Sequence, residues 1–81
     1  MELSETIGLM QSADYKERFK AEYWQTKIRV RKLNDMIVKY EAGTLPFTPK
    51  CSIELLKKQS RVMEEYLYIL EVRAENEEID L

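Results

Sequence analysis

Two runs of mainly apolar residues dominate the sequence, and both advance by steps of three and four positions. The first run is Phe19, Tyr23, Thr26, Val30, Leu33, Ile37 and Tyr40, and the second is Leu56, Gln59, Met63, Tyr66, Leu70 and Arg73. Steps of this size place one side chain per turn on a single helix face. The sequence therefore predicts an all-α fold, an antiparallel two-helix hairpin whose helices meet along these two faces, with no strand.

Capping residues and helix breakers set the predicted boundaries within a single helical-hairpin domain. The leading segment, residues 1–12, has apolar residues at helical spacing and is predicted to form a short helix. A first long helix over residues 13–42 follows, because Ser12 is a suitable N-cap and Gly43 supplies the left-handed residue that commonly ends a helix.

The second half of the hairpin begins after a proline-rich connector, residues 43–51, which is unsuited to regular structure. Thr48 and Ser52 are both plausible caps for the next helix, and Ser52 is preferred. The second helix is predicted over residues 52–77. The acidic end of the chain, with residues 78–81 as its tail, is expected to fray.

Further apolar residues lie outside the two faces that form the hairpin. Trp24 and Ile28 point away from the partner helix, and Leu55, Val62 and Ile69 follow one flank of the second helix. An aligned second stripe usually marks an interface, and a chain of 81 residues gains from a partner because its core is small. We expect a homo-oligomer larger than a dimer. The alternative is that the leading segment covers part of these residues.

Residue types that are rare or absent exclude several classes of chemistry. Cys51 is the only cysteine and there is no histidine, so neither a disulfide framework nor an ordinary zinc site is expected. No motif supplies a nucleophile with its base or a phosphate loop, and we expect no cofactor and no enzymatic activity. The acidic N-terminus is unlike a signal peptide and no segment is long and apolar enough for a membrane, so a cytoplasmic protein is expected.

Charge is distributed unevenly between the two helices. Residues 13–42 hold eight Lys or Arg against five acidic residues, whereas residues 63–81 hold seven acidic residues and only Arg73. In an antiparallel hairpin these regions lie side by side, so they either pair with each other or leave a local basic site for an anion. Long nucleic acids are not expected as partners, because the acidic half would repel them.

Three residues are candidates for such an anion site. Tyr15 and Arg29 lie two heptads apart on one flank of the first helix, where a neighbouring subunit could complete a site. Arg73 is predicted to lie near Tyr23, where it either rests on an aromatic ring beside an acidic neighbour or contacts a phosphate.

The pattern Gln59-x-x-x-Met63-x-x-Tyr66-x-x-x-Leu70-x-x-Arg73, which follows Arg18-x-x-x-Glu22 and Lys32-Leu33, resembles a family of small phage-encoded hairpin proteins. These are the anti-CBASS and anti-Thoeris sponges, which bind cyclic nucleotide signals of bacterial immunity without cleaving them. The similarity covers roughly residues 15 to 74.

This resemblance implies a homo-oligomer of hairpins, hexameric in the best-known members, in the cytoplasm of a bacterial host. The implied ligand is a cyclic di- or trinucleotide or a cyclic ADP-ribose derivative, held between subunits. Arg29 matches the position of a phosphate-contacting lysine, Arg73 matches the arginine that closes the motif, and Tyr15 is near the expected aromatic position. The alternative is a coiled-coil adaptor or inhibitor that binds another protein and no small molecule.

Overall fold

The protein is an all-helical hairpin with a short helical segment in front of it. The computed structural model describes residues 1–81 and contains a 3-10 turn at Leu3–Thr6 and three α-helices: α1 (Ile7–Met10), α2 (Tyr15–Ala42) and α3 (Ile53–Asn76). α2 and α3 pack antiparallel in a molecule 43 Å long. The predicted fold class is confirmed, with a short leading helix, two long helices and no strand. None of the helices has the length and apolar character needed to cross a membrane.

α2 begins at Tyr15, two residues later than predicted. The cap is Asp14, whose carboxylate accepts a hydrogen bond from the backbone N–H of Lys16 at 2.9 Å. The Ser12 hydroxyl, the predicted cap, instead accepts from the N–H of Asp14 at 3.0 Å. At the other end, Gly43 has a φ of 75° and ends the helix in the left-handed conformation, as predicted.

α3 starts where the preferred cap predicts. The Ser52 hydroxyl accepts a hydrogen bond from the N–H of Leu55 at 3.2 Å and so satisfies one of the free donors of the first turn. The connector before it lies against the end of α2 near Met36 and Lys39, and its Leu45 is half-buried there.

The core lies between α2 and α3 and includes one residue beyond them. It consists of Phe19, Tyr23 and Val30 from α2, of Leu67, Leu70 and Ala74 from α3, and of Ile79 from the C-terminal segment. Trp24 and Met63 pack against this cluster and are partly exposed. The α2 residues are those that the spacing predicts.

α3 is rotated about its axis relative to the prediction. Leu67 and Ala74 are buried, whereas Tyr66 and Arg73, the residues immediately before them, lie exposed at the edge of the interface. Ser60 is likewise buried, hydrogen-bonded to Asn34, in place of its neighbour Gln59. The predicted inward face of α3 was therefore wrong by one residue at three of its positions.

The N-terminal segment covers a second face of α2, opposite α3. Thr6 is buried and its hydroxyl accepts a hydrogen bond from Gln25 Nε2 at 3.0 Å. On this face of α2, Ala21 and Ile28 are also buried, with Ile28 only 1% exposed. The expectation that Ile28 faces a neighbouring subunit is thus wrong for this structure, because residues of the same chain already enclose it.

The C-terminal segment is folded back and does not fray as predicted. Glu78 adopts a left-handed conformation with a φ of 57°, and the next residue, Ile79, donates its N–H to the carbonyl oxygen of Ala74 at 2.8 Å. This is the bonding pattern of a Schellman motif, which commonly brings an apolar residue back onto the last turn. Ile79 is 6% exposed, so the segment is part of the core.

Candidate functional site

Tyr15 and Arg73 meet at the end of the hairpin where α2 begins and α3 ends. Arg73 Nη2 donates a hydrogen bond to the hydroxyl oxygen of Tyr15 at 2.8 Å, across 58 positions of sequence. Both side chains are exposed, so a solute can reach the guanidinium and the phenol together. The contact results from antiparallel packing, which places the first turn of α2 beside the last turns of α3.

Phe19 forms the floor beneath this pair. The guanidinium carbon of Arg73 lies 5.0 Å from the centroid of the Phe19 ring, and Tyr15 meets the same ring edge-on with centroids 6.2 Å apart. A guanidinium over an aromatic face is attracted by the ring quadrupole, by about 0.5–1 kcal/mol at an exposed site. Because Phe19 is 3% exposed and fixed in the core, it holds the Arg73 side chain in one place.

Glu77 completes the cluster with a carboxylate. One of its oxygens accepts a hydrogen bond from the Tyr15 hydroxyl at 2.9 Å, and the other accepts from Arg73 Nε at 3.2 Å. The hydrogen bond to Glu77 is the main reason that the pKa of Arg73 is raised above its usual value. Sequence reasoning did not single out Glu77, although its position four residues after Arg73 on a helix is the signal that would have suggested the pair.

Further basic residues at the start of α2 are engaged with the backbone nearby. Lys16 Nζ donates to the carbonyl oxygen of Glu78 at 3.2 Å, and Arg18 Nη1 donates to that of Ser12 at 2.9 Å. These contacts neutralise no charge, because their acceptors are neutral carbonyl groups. Of Lys16, Arg18 and Arg73, only Arg73 forms an ion pair with a carboxylate.

A second phenol–carboxylate pair lies farther along the same side of the hairpin. The Tyr66 hydroxyl donates a hydrogen bond to the carboxylate of Glu22. This hydrogen bond, together with partial burial and the negative charge of Glu22, raises the pKa of Tyr66 above 10.0. Tyr66 was predicted to lie inside the interface, and its actual place at the edge leaves its ring accessible beside the Tyr15 cluster.

Arg29 stands apart from this cluster. It is exposed and forms no hydrogen bond or ion pair. It follows Tyr15 by fourteen residues on α2, a separation of about 21 Å along a helix that rises roughly 1.5 Å per residue. Within one chain the structure therefore brings together two of the three candidate residues, Tyr15 and Arg73. The expected neighbour of Arg73, Tyr23, is replaced by Phe19, one helical turn closer to the start of α2.

The apolar residues that were predicted to form an interface differ in their exposure. Leu55, Val62 and Ile69 are each more than half exposed and follow one line along α3, which we call the α3 stripe. Trp24 is half-buried, packs against the core, and meets the Tyr23 ring edge-on at 5.2 Å. Of these residues, only those of the α3 stripe offer a row of apolar side chains to another molecule.

No group of three or more carboxylate or cysteine side chains lies close enough together to hold a metal ion. Cys51 is exposed in the connector, away from the Tyr15 cluster. The chemistry that the site offers is hydrogen-bond donation, aromatic surface and the guanidinium of Arg73, which is paired with the Glu77 carboxylate. These are the properties of a binding site for an anion that carries a ring.

Comparison with known proteins gives one match. A family model described as Sequestin matches residues 13–76, which include α2, the connector and α3. Tyr15, Arg29 and Arg73 all lie within the matched region, whereas Glu77 is the first residue beyond it. No curated protein and no solved structure matches the chain.

Proposed function

The chain belongs to the Sequestin family, and from this membership we propose that it sequesters a cyclic di- or trinucleotide, or a cyclic ADP-ribose derivative, without cleaving it. The family name implies a sequestering protein. The name does not specify a ligand, so the ligand class is inferred from the residues of the site.

The contact between Arg73 and Tyr15 is the observation that carries this proposal. A cyclic nucleotide combines phosphates with flat bases. It therefore needs a cation for the phosphate and an aromatic surface for the base. Arg73 supplies the cation and Tyr15 the aromatic ring, and a hydrogen bond of 2.8 Å joins them on an exposed surface. The buried Phe19 ring lies beneath the guanidinium. Lys16 and Arg18 add positive charge at the same end of the hairpin.

Assembly of several chains accounts for the remaining charges that such a ligand needs. A molecule with two or three phosphates requires several cations that converge from different directions, and symmetry supplies them by repeating one residue. Arg29 is about 21 Å from Tyr15 within a chain, so it joins the site only when it comes from a neighbouring subunit. The exposed α3 stripe provides the apolar surface for that assembly.

Binding without turnover is consistent with the residue types at this site. Histidine, the commonest general base, is absent from the chain. Sequestration needs only affinity, so a site built from Tyr15 and Arg73 is sufficient for the proposed role. We therefore propose a binding protein and not an enzyme.

A panel of cyclic nucleotides tests this function. Cyclic di-AMP, cyclic di-GMP, cyclic tri-AMP and cyclic ADP-ribose are added to the purified protein, and the melting temperature is recorded. A ligand present at 100 times its dissociation constant stabilises the folded state by about 2.7 kcal/mol, which raises the melting temperature of a small domain by several degrees. The bound compound is then released by denaturation and analysed by chromatography, and it should be recovered intact. Cleaved products would contradict the proposal.

Two variants locate the binding site. Arg73→Met removes the charge and keeps an apolar stem over Phe19, so binding should be lost while the fold is retained. Arg61→Met is the matched control, because Arg61 is also exposed on α3 but makes no hydrogen bond or ion pair. Equal affinity of these two variants would show that the ligand binds elsewhere.

A second candidate function is a protein-interaction adaptor or inhibitor, and the α3 stripe is the observation that favours it. Three apolar side chains in a line are what a partner helix recognises. If no nucleotide of the panel changes the melting temperature and Val62→Asp abolishes a stoichiometric complex with a host protein, the adaptor function replaces sequestration.

A further inference from the structure

Glu77 occupies the position where an anion would bind to Tyr15 and Arg73. Both of its carboxylate oxygens are used, one by the Tyr15 hydroxyl at 2.9 Å and the other by Arg73 Nε at 3.2 Å. A phosphodiester also presents two charged oxygens on one atom, so it can accept the same two hydrogen bonds. Glu77 and a ligand phosphate therefore compete for the same donors.

The C-terminal segment holds Glu77 in this position. The N–H of Glu77 donates to the carbonyl oxygen of Arg73 at 2.8 Å, and the next turn is closed by the bond from Ile79 to Ala74. Burial of Ile79 in the core and the hydrogen bond from Lys16 to the Glu78 carbonyl fix the segment over the start of α2. The carboxylate is thus presented by folded structure and not by a mobile terminus.

The placement of Glu77 is unfavourable to the helix that carries it. Glu77 is the C-cap of α3, where the partial negative charge of the helix dipole disfavours a carboxylate. Its contact with Arg73 offsets this effect and leaves the pair without net charge. An anionic ligand gains little from Arg73 while Glu77 remains bound to it.

We propose that Glu77 is an intramolecular competitor for the anion site, so that ligand binding replaces its carboxylate at Tyr15 and Arg73 and loosens the C-terminal segment. This inference rests on the proposed function, because it requires an anion that binds at these two residues. It assigns to Glu77 the role of setting affinity: the protein retains only ligands whose phosphate binds Arg73 more strongly than this carboxylate does.

Glu77→Gln tests the proposal, with Glu75→Gln as its matched control. Both changes remove one negative charge near the end of α3, but Glu75 is exposed and makes no hydrogen bond or ion pair. Dissociation constants are measured by calorimetry for the cyclic nucleotide that gives the largest thermal shift and for inorganic pyrophosphate. We expect Glu77→Gln to bind about three- to fivefold more tightly than the unchanged protein, since an exposed contact between charges of this kind is worth up to about fivefold in affinity. Glu75→Gln should stay within about twofold.

Amide hydrogen exchange provides a second measurement. Ligand binding should accelerate exchange at Ile79 in the unchanged protein, because the segment that carries Glu77 is released. Equal affinities of the unchanged protein and Glu77→Gln, with exchange at Ile79 unaltered by ligand, would overturn the role of Glu77 while the sequestering function stands. If no probe binds to the unchanged protein or to either variant, the proposed function and the inference are both overturned.

Discussion

The backbone N–H of Ile79 donates to the carbonyl oxygen of Ala74 at 2.8 Å, and the side chains of both residues lie in the core. This bond turns the chain back immediately after Glu77, whose carboxylate contacts Tyr15. The packing of Ile79 therefore fixes the C-terminal segment next to the candidate site.

Removal of the Ile79 side chain should destabilise the whole protein. Ile79→Ala deletes a side chain that is 6% exposed, and large-to-small changes of this kind in a core cost about 2–4 kcal/mol. Urea denaturation followed by circular dichroism, at one protein concentration, measures the difference. Leu81→Ala, in the same segment but exposed, should change the free energy of unfolding by less than about 0.5 kcal/mol. Equal midpoints for the two variants would mean that the C-terminal segment is not packed as described.

The hydrogen bond between Ser60 and Asn34 should contribute measurably to the packing of α2 on α3. Ser60 is buried and its hydroxyl donates to the side-chain carbonyl of Asn34. A double-mutant cycle with Ser60→Ala and Asn34→Ala should give a coupling energy of about 0.5–1.5 kcal/mol. The control cycle combines Asn34→Ala with Ser52→Ala, a cap far from Asn34, and should give no coupling. Zero coupling in both cycles would contradict the rotation of α3 described above.

Tyr66 should ionise at a higher pH than an ordinary tyrosine. Its pKa is raised above 10.0, first by the hydrogen bond that it donates to Glu22 and then by partial burial. Since the fold favours the neutral phenol, the stability from this pair is present below pH 10 and is lost as the pH rises through the raised pKa. Ultraviolet titration of tyrosine should show a late component that Tyr66→Phe removes.

Tyr68→Phe is the control for this titration. Tyr68 is 68% exposed, and its hydroxyl makes no hydrogen bond, unlike that of Tyr66. It should leave the late component of the titration intact. Loss of the late component in Tyr68→Phe instead would assign the raised pKa to the wrong tyrosine.

Charges on the α3 stripe should prevent self-assembly. Val62 and Ile69 are 55% and 52% exposed within one chain, and complete burial of such a side chain contributes about 1.5–3 kcal/mol. Sedimentation velocity at micromolar concentration should show an oligomer larger than a dimer for the unchanged protein and a monomer for Val62→Asp with Ile69→Asp. Val38→Asp, on an exposed part of α2, is the control and should still assemble. If the unchanged protein is a monomer, the self-assembly required by the proposed function is contradicted.

The sequence determined the helices and most of their ends. The spacing of apolar residues and the capping residues are local properties of the sequence. Gly43 therefore ends α2, and Ser52 begins α3, where their chemistry predicts. Asp14 replaced Ser12 as the first cap because both residues have suitable oxygen acceptors within two positions of each other. The α2 face with Phe19 and Val30 was also predictable from the spacing of its apolar residues.

The rotation of α3 was decided by tertiary packing. Leu56, Met63 and Leu70 belong equally to a face with Tyr66 and to a face with Leu67, so the spacing permits either one. The structure has the second face inward: Ser60, Leu67 and Ala74 are buried, while Tyr66 donates a hydrogen bond to Glu22 at the edge. Which of two overlapping apolar faces is buried depends on the partner helix, so the pattern of α3 alone does not determine it.

The candidate site was likewise predicted in part from the sequence and decided in part by tertiary packing. Residue types and charge singled out Tyr15 and Arg73, which antiparallel packing brings together. The sequence alone does not reveal that residues of the same chain enclose Ile28, or that Glu77 fills the position between Tyr15 and Arg73. Both depend on short segments, one at each end of the chain, whose positions are decided by the surfaces on which they pack.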